Sequence, residues 1–153
     1  MEKTLVILKP CAVQRELIGE IISRFEKKGL ILCGMKMTWL SDEILSEHYA
    51  HLKEKPFFQR VKDSMRTCPV IIACWKGVDA VRVVRAITGP TNGRDALPGT
   101  IRGDYSMSVQ ENIVHTSDSS EIAVVELKRF FKDEELYDYD SELISNLYAN
   151  DEI

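Results

Sequence analysis

The chain has 153 residues, 44% of them hydrophobic, with 20 Lys and Arg against 24 Asp and Glu for a net charge of −4. That length suits one domain over residues 1–153, able to bury a core without staples. The acidic balance argues against nucleic acid as a partner but leaves room for a small anion held by local positive charge.

The run TLVILKP, residues 4–10, is continuously apolar up to Pro10 and predicts a strand buried on both faces. Its apolar stretch is too short for a signal-peptide core or a membrane span, so no membrane association is expected. Val13, Leu17, Ile18, Ile21, Ile22 and Phe25 then recur at helical spacing, ending in EKKG with Gly29 as the stop. Residues 30–39 are strand-like, and Ser41 before Asp42 and Glu43 predicts a capped helix through about Leu52. A short helix opened by Pro56 follows, then a strand over 69–75 and a helix over 79–88 capped by Asp79 and stopped by Gly89 and Pro90.

The segment GPTNGRDALPGTIRG, residues 89–103, holds four glycines and two prolines in fifteen residues and predicts a long loop without helix or strand. ENIVH, residues 111–115, predicts a fourth strand. Asp118 with Glu121 three residues on resembles a capping box for a helix to about Phe131, and an acidic tail with Tyr137, Tyr139 and Tyr148 is expected to wrap a surface. The order of elements predicts an α/β sandwich of split βαβ type.

The four cysteines, at 11, 33, 68 and 74, form no C-x-x-C pair and do not cluster with histidine, which fits free thiols in a reducing, cytoplasmic compartment. Neither a P-loop nor a G-x-G-x-x-G turn is present. Single cations stand instead at a strand end or in the helix and loop that follow: Lys9, Arg85, Arg94 and Arg102. A guanidinium fork matches phosphate oxygens and lysine supplies a point charge, whereas Arg94 reads better as solvated surface charge. Lys9, ending a buried strand, must find a partner.

Glu126 falls on the stripe formed by Ile122, Ala123, Leu127, Phe130 and Phe131, so its carboxylate faces inward. The preceding strand offers His115. A carboxylate on one imidazole nitrogen fixes the tautomer and leaves the other nitrogen free to react. On these residues alone, a reactive histidine and an inert paired core histidine stand level. His48 and His51, in an amphipathic helix, read as surface or packing residues. Phe57 and Phe58 are core candidates, though one exposed ring could stack on a base.

NIVHTSD, PGTIRGDY, LVILKPCAVQRELIGEII and EHYAHLKEKPFF together resemble the nucleoside diphosphate kinase family over essentially the whole chain. The resemblance implies a ferredoxin-like fold with a four-stranded antiparallel sheet covered by helices. It also implies transfer of a γ-phosphoryl group from a nucleoside triphosphate to a diphosphate, by a ping-pong route through a phosphohistidine. His115 matches the nucleophile, Glu126 the carboxylate on its ring, and Ser117 the serine that supports that carboxylate. Lys9, Tyr49, Arg85, Thr91, Arg102 and Asn112 match the groups that hold phosphates and ribose, and Phe57 and Val61 match the clamp on the base. Stacking without readout of base edges implies broad base tolerance. The resemblance further implies Mg²⁺ carried by nucleotide oxygens and water, and a homo-hexamer, with a tetramer as the alternative. The sequence departs from the family's common pattern at Thr116, Cys11, Lys76 and Gly93. At position 93 a proline is common, and restoring it is expected to stabilise the loop.

Overall fold

The computed structural model of the chain describes residues 1–139 and 141–153. The strands are β1 (Glu2–Leu8), β2 (Ile31–Thr38), β3 (Val70–Gly77) and β4 (Val114–Thr116). The helices are α1 (Pro10–Gln14), α2 (Ile18–Lys28), α3 (Asp42–His48), α4 (Phe58–Ser64), α5 (Ala80–Thr88), α6 (Ile101–Tyr105), α7 (Ser120–Phe130) and α8 (Ile144–Leu147). The strands form one antiparallel sheet in the order β2-β3-β1-β4, the ferredoxin-like arrangement.

The two central strands, β1 and β3, are buried on both faces because both faces are covered. Leu5 and Ile7 point into a layer with Leu45, Met65, Leu127 and Phe130, while Val6 and Leu8 point into the opposite layer with Ile21, Phe25, Trp75 and Val84. This is the alternation a pleated strand imposes when helices lie above and below it.

Several local expectations needed correction. The apolar stripe of residues 13–25 is divided between α1 and α2, because Glu16 adopts φ 58° and the Leu17 amide folds back onto the Ala12 carbonyl 3.0 Å away. Ser41 caps α3 as expected, its Oγ accepting from the Ile44 amide at 3.2 Å, but α3 stops at His48 and a 3₁₀ turn covers Ala50–Leu52. Asp79 precedes α5 without capping it; its φ is 51° and its carboxylate pairs with Arg82 at 2.6 Å. The cap of α7 is Ser119, which accepts from the Ile122 amide at 3.2 Å, and Asp118 turns instead to Arg85. Ile122, placed on the buried stripe of α7, is 43% exposed.

The glycine-rich segment is more ordered than its composition implied. Thr100 accepts from the Gly103 amide at 3.0 Å and so nucleates α6, and Gly93–Asp95 forms a 3₁₀ turn. The amide of Gly93 donates to the Ser108 carbonyl at 3.1 Å, and a Cβ there would lie 2.4 Å from the Ser106 carbonyl oxygen. Proline would remove that donor and force the contact, which overturns the expectation that it stabilises. Gly93→Pro should lower the midpoint of denaturant unfolding, with a lost buried hydrogen bond alone costing about 1 to 3 kcal/mol; an unchanged or higher midpoint would show that the loop can take another path.

Candidate active site

The site begins with strand geometry. β4 pairs with β1 so that His115 lies opposite Ile7, and directly opposed residues of an antiparallel pair share a face. The His115 ring therefore enters the layer occupied by α3 and α7. Ser117, two residues on, points the same way, and its hydroxyl accepts from the Leu5 amide at 3.4 Å. Chain reversal at residues 118–119 brings α7 back over the strand and lowers Glu126 onto both side chains. One carboxylate oxygen meets His115 Nε2 at 2.9 Å, and the other accepts from Ser117 Oγ at 2.6 Å.

Burial pushes the Glu126 carboxyl upward, but the bonds from His115 and Ser117 outweigh it and hold the group below the usual carboxylate range. A carboxylate can only accept, so His115 Nε2 carries the hydrogen and Nδ1 keeps its lone pair. The His115 side chain remains 20% exposed, at the floor of a cleft of about 530 Å³.

A second construction fixes the cations. Val114 N donates back to Asn112 O at 2.9 Å across Ile113, whose φ is 75°. A left-handed isoleucine in this three-residue turn is strained, at a cost of about 1 to 3 kcal/mol, and its fully buried side chain anchors it. The turn aims the Asn112 and Val114 carbonyls at Arg102, which donates to them at 3.0 and 2.7 Å and to the Gly89 carbonyl at 3.0 Å. Burial and the Arg85 charge bring the Arg102 guanidinium down to about 10. Asn112 Nδ2 donates to the Thr91 and Val109 carbonyls, and Oδ1 is left buried without a protein partner. Lys9 ends β1 with Nζ on the Gln110 carbonyl at 3.2 Å; burial, reinforced by Arg102, lowers its ammonium to about 8. The partner Lys9 required is thus a neutral oxygen rather than a carboxylate. Arg85, in the last turn of α5, reaches Asp118 at 2.5 Å.

Lys9, Tyr49, Arg85, Thr91, Arg102, Asn112, His115 and Glu126 all line this cleft. Ser117 lies beneath it, bonded to Glu126. Phe57 and Val61 are outside its lining: Phe57 stands partly exposed at the start of α4, and Val61 packs against the core. Arg60 ties α4 to the segment before β4 through a 2.9 Å bond to Gln110. Tyr49 is buried at the end of α3, and its phenol is pushed upward by burial and by the Glu126 charge, so it stays protonated as a donor.

Sequence reasoning gave no site role to His48, Arg129, Asp118 or the exposed apolar pair Ile122 and Val125, all of which line the cleft. For His48 and Arg129 a signal existed. His48 follows buried Leu45 by three positions, and Arg129 follows Glu126 by three, the spacings that share a helix face. His48, His115 and Glu126 form the group among the described residues that could hold a metal, with one ligand atom of each within 4.8 Å of the others. The Arg129 guanidinium, 3.2 Å from His48 Nδ1, occupies that nitrogen and disfavours a cation. No helix among the described residues is long and apolar enough to cross a membrane.

A family model for nucleoside diphosphate kinase matches residues 2–136. The chain belongs to the nucleoside diphosphate kinase family. It is 75% identical over 152 residues to a nucleoside diphosphate kinase of Parabacteroides distasonis, covering 99% of both chains, and 50% identical over 141 residues to one of Pyrococcus abyssi, covering 90% of this chain and 89% of that one. Among solved structures it resembles a halophilic nucleoside diphosphate kinase of Halobacterium salinarum in complex with CDP, with a TM-score of 0.95, 41% identity and coverage of 97% and 99%. As a nucleoside diphosphate kinase, it is a phosphotransferase that moves the γ-phosphoryl group of a nucleoside triphosphate to a diphosphate.

The Lys9 environment has a measurable consequence for a phosphotransferase. With its ammonium lowered to about 8, Lys9 has lost most of its proton at pH 9 in the free enzyme, and a bound polyphosphate favours the charged form. Nucleoside diphosphate binding should therefore take up a proton at pH 9 and almost none at pH 7. Titration calorimetry in buffers of different ionisation enthalpy reads this directly. Uptake that persists in Lys9→Met would assign the proton to another group.

Proposed function

We propose that His115 is the nucleophile and carries the phosphoryl group on Nδ1 between two half-reactions, in one catalytic domain. The observation that carries this reading is the bond between His115 Nε2 and Glu126, which leaves Nδ1 as the free nitrogen at the cleft floor. Its lone pair attacks the γ-phosphorus in line, the bond to the bridging oxygen breaks, and the diphosphate leaves with that electron pair. Glu126 stabilises the positive charge that develops on the ring, and Ser117 holds Glu126 from below. A nucleoside diphosphate then enters the same cleft and takes the group by the reverse step.

Lys9, Arg85 and Arg102 neutralise the phosphates, and Thr91 and Tyr49 donate to them. Asn112, whose Oδ1 lacks a protein partner, and Lys9 would meet the ribose hydroxyls. The base would stack on Phe57 with Val61 beside it, at the outer mouth between α4 and the segment that Arg60 ties down. Contact through a ring face discriminates weakly among bases, so adenine, guanine, cytosine and uracil nucleotides all serve.

Mg²⁺ fits this cleft as a passenger on the nucleotide. The ion demands oxygen ligands and retains water, and the cleft offers a wall of cations with the exposed carboxylate of Asp118 beside it rather than an oxygen cage. Asp118 would reach the ion through water. When bound, Mg²⁺ neutralises and orients the polyphosphate.

The enzyme is read as cytoplasmic and as a homo-hexamer built from dimers. Assembly is supported by the edge strand β2, which the tail bonds at Leu32 and Cys33 but which carries Met35 and Met37, 50% and 57% exposed, with Trp39 just beyond its end 62% exposed. An apolar edge of this kind favours pairing with a second copy.

Incubation with γ-labelled ATP should give an acid-labile, alkali-stable phosphoenzyme mapped to His115, which unlabelled GDP discharges as labelled GTP. His115→Ala should abolish both events, and Glu126→Ala should slow transfer by about 10²- to 10⁴-fold with little change in nucleotide affinity. An acid-stable phosphoserine as the main species would overturn the mechanism. For assembly, light scattering should return the mass of six chains; a tetramer or dimer at micromolar concentration would refute the hexamer.

A further inference from the structure

One hydrogen bond, donated by His115 Nε2 to Glu126, sets the distance of the His115 ring but leaves its plane free to swing about that bond. A second constraint is in place. The ring of His48 meets the His115 ring edge-on, with centroids 4.5 Å apart and planes at 84°. His48 is itself wedged by Tyr49 at 4.7 Å and Phe130 at 5.1 Å, so it transmits the rigidity of α3 and α7 to the reacting imidazole.

The nitrogen chemistry of His48 is equally constrained. Arg129 Nη1 lies 3.2 Å from His48 Nδ1, and a guanidinium can only donate, so Nδ1 must be the acceptor and the proton sits on Nε2. Arg129 is fixed in turn by Glu47, its Nε donating to Oε1 at 3.0 Å. This matters because the same Nδ1 lies 3.8 Å from the Glu126 oxygen that receives His115. A hydrogen on Nδ1 would compete for that oxygen and loosen the bond that orients the nucleophile. Burial and the neighbouring His115 independently keep His48 neutral, lowering it to about 3.

We infer that His48 and Arg129 are positioning residues for phosphoryl transfer: His48 fixes the plane of the His115 ring, and Arg129 fixes the tautomer of His48 so that Glu126 serves His115 alone. The inference rests on His115 being the phosphorylated residue.

Rapid-quench measurement of phosphoenzyme formation at saturating ATP, beside diphosphate affinity, tests it. His48→Ala should slow phosphorylation by about 10- to 100-fold, the scale set by misplacing a reacting group by about 1 Å, while affinity stays within about twofold. His48→Phe restores a ring edge without a competing nitrogen and should recover the rate to within about threefold of wild type. Arg129→Leu should be slowed several-fold, and ¹⁵N spectra of its imidazoles should show His48 passing from a pure Nε2–H form to a mixture. Unchanged rates in His48→Ala, or a mixed tautomer with an unchanged rate in Arg129→Leu, would overturn the assignment. So would a rate loss in His48→Ala matched by an equal loss of affinity, or a failure of phenylalanine to rescue. If the alanine variant does not fold, the phenylalanine and Arg129 variants decide by the same criteria. A wild-type label found away from His115 removes both this reading and the proposed mechanism, whereas a label on His115 with unaltered variant rates removes this one alone.

Discussion

A buried carboxylate must be answered from every side, and Glu126 organises the molecule by that demand. With 5% of its surface exposed, it is tolerable only because an imidazole and a hydroxyl meet its two oxygens. Meeting them requires β4 to sit at the sheet edge beside β1, the chain to reverse at once, and α7 to lie across the same face. The register of one short strand and the placement of one helix therefore serve the same electrostatic requirement.

Apart from Arg85, which pairs with Asp118, the opposite wall of the cleft is governed by main-chain oxygens rather than by carboxylates. Arg102 is held by three carbonyls, Lys9 by one, and Asn112 by two, so these side chains are oriented without losing their positive or polar character to a fixed anion. Neutral acceptors leave the charge available to an incoming polyphosphate. The strained turn at Ile113 is the local cost of that arrangement, offset by the full burial of its side chain. The cleft thus divides into a cationic wall and a histidine floor, and the same β4 segment supplies parts of both.

Much of this was legible from the residues. The continuous apolar run of β1 announced burial on two faces, and the position of Glu126 on the α7 stripe placed an inward carboxylate within reach of His115. What stayed hidden depended on backbone geometry that side-chain patterns do not encode. Glu16 and Asp79 adopt left-handed conformations that glycine would have signalled and these residues do not. Thr100 nucleates α6 inside a segment whose glycines and prolines argued for none. For His48 the spacing from Leu45 signalled burial, but its partners His115, Glu126 and Arg129 come from distant parts of the chain and could not be read from that spacing. Phe57 was visible from its residues only as a core ring that could stack on a base, and Val61 entered through family resemblance alone; their place at the start of α4 and within it, outside the cleft lining, was not readable from spacing.

The clasp around Arg102 bears on how the long segment holds its shape. Its three acceptors lie at residues 89, 112 and 114, the two ends of the long segment that also contains the arginine. The guanidinium is therefore a keystone that joins the two ends of the span. The three bonds that close the span are also the ones that orient this guanidinium in the cleft, so the shape of the segment and the placement of the charge cannot be altered separately.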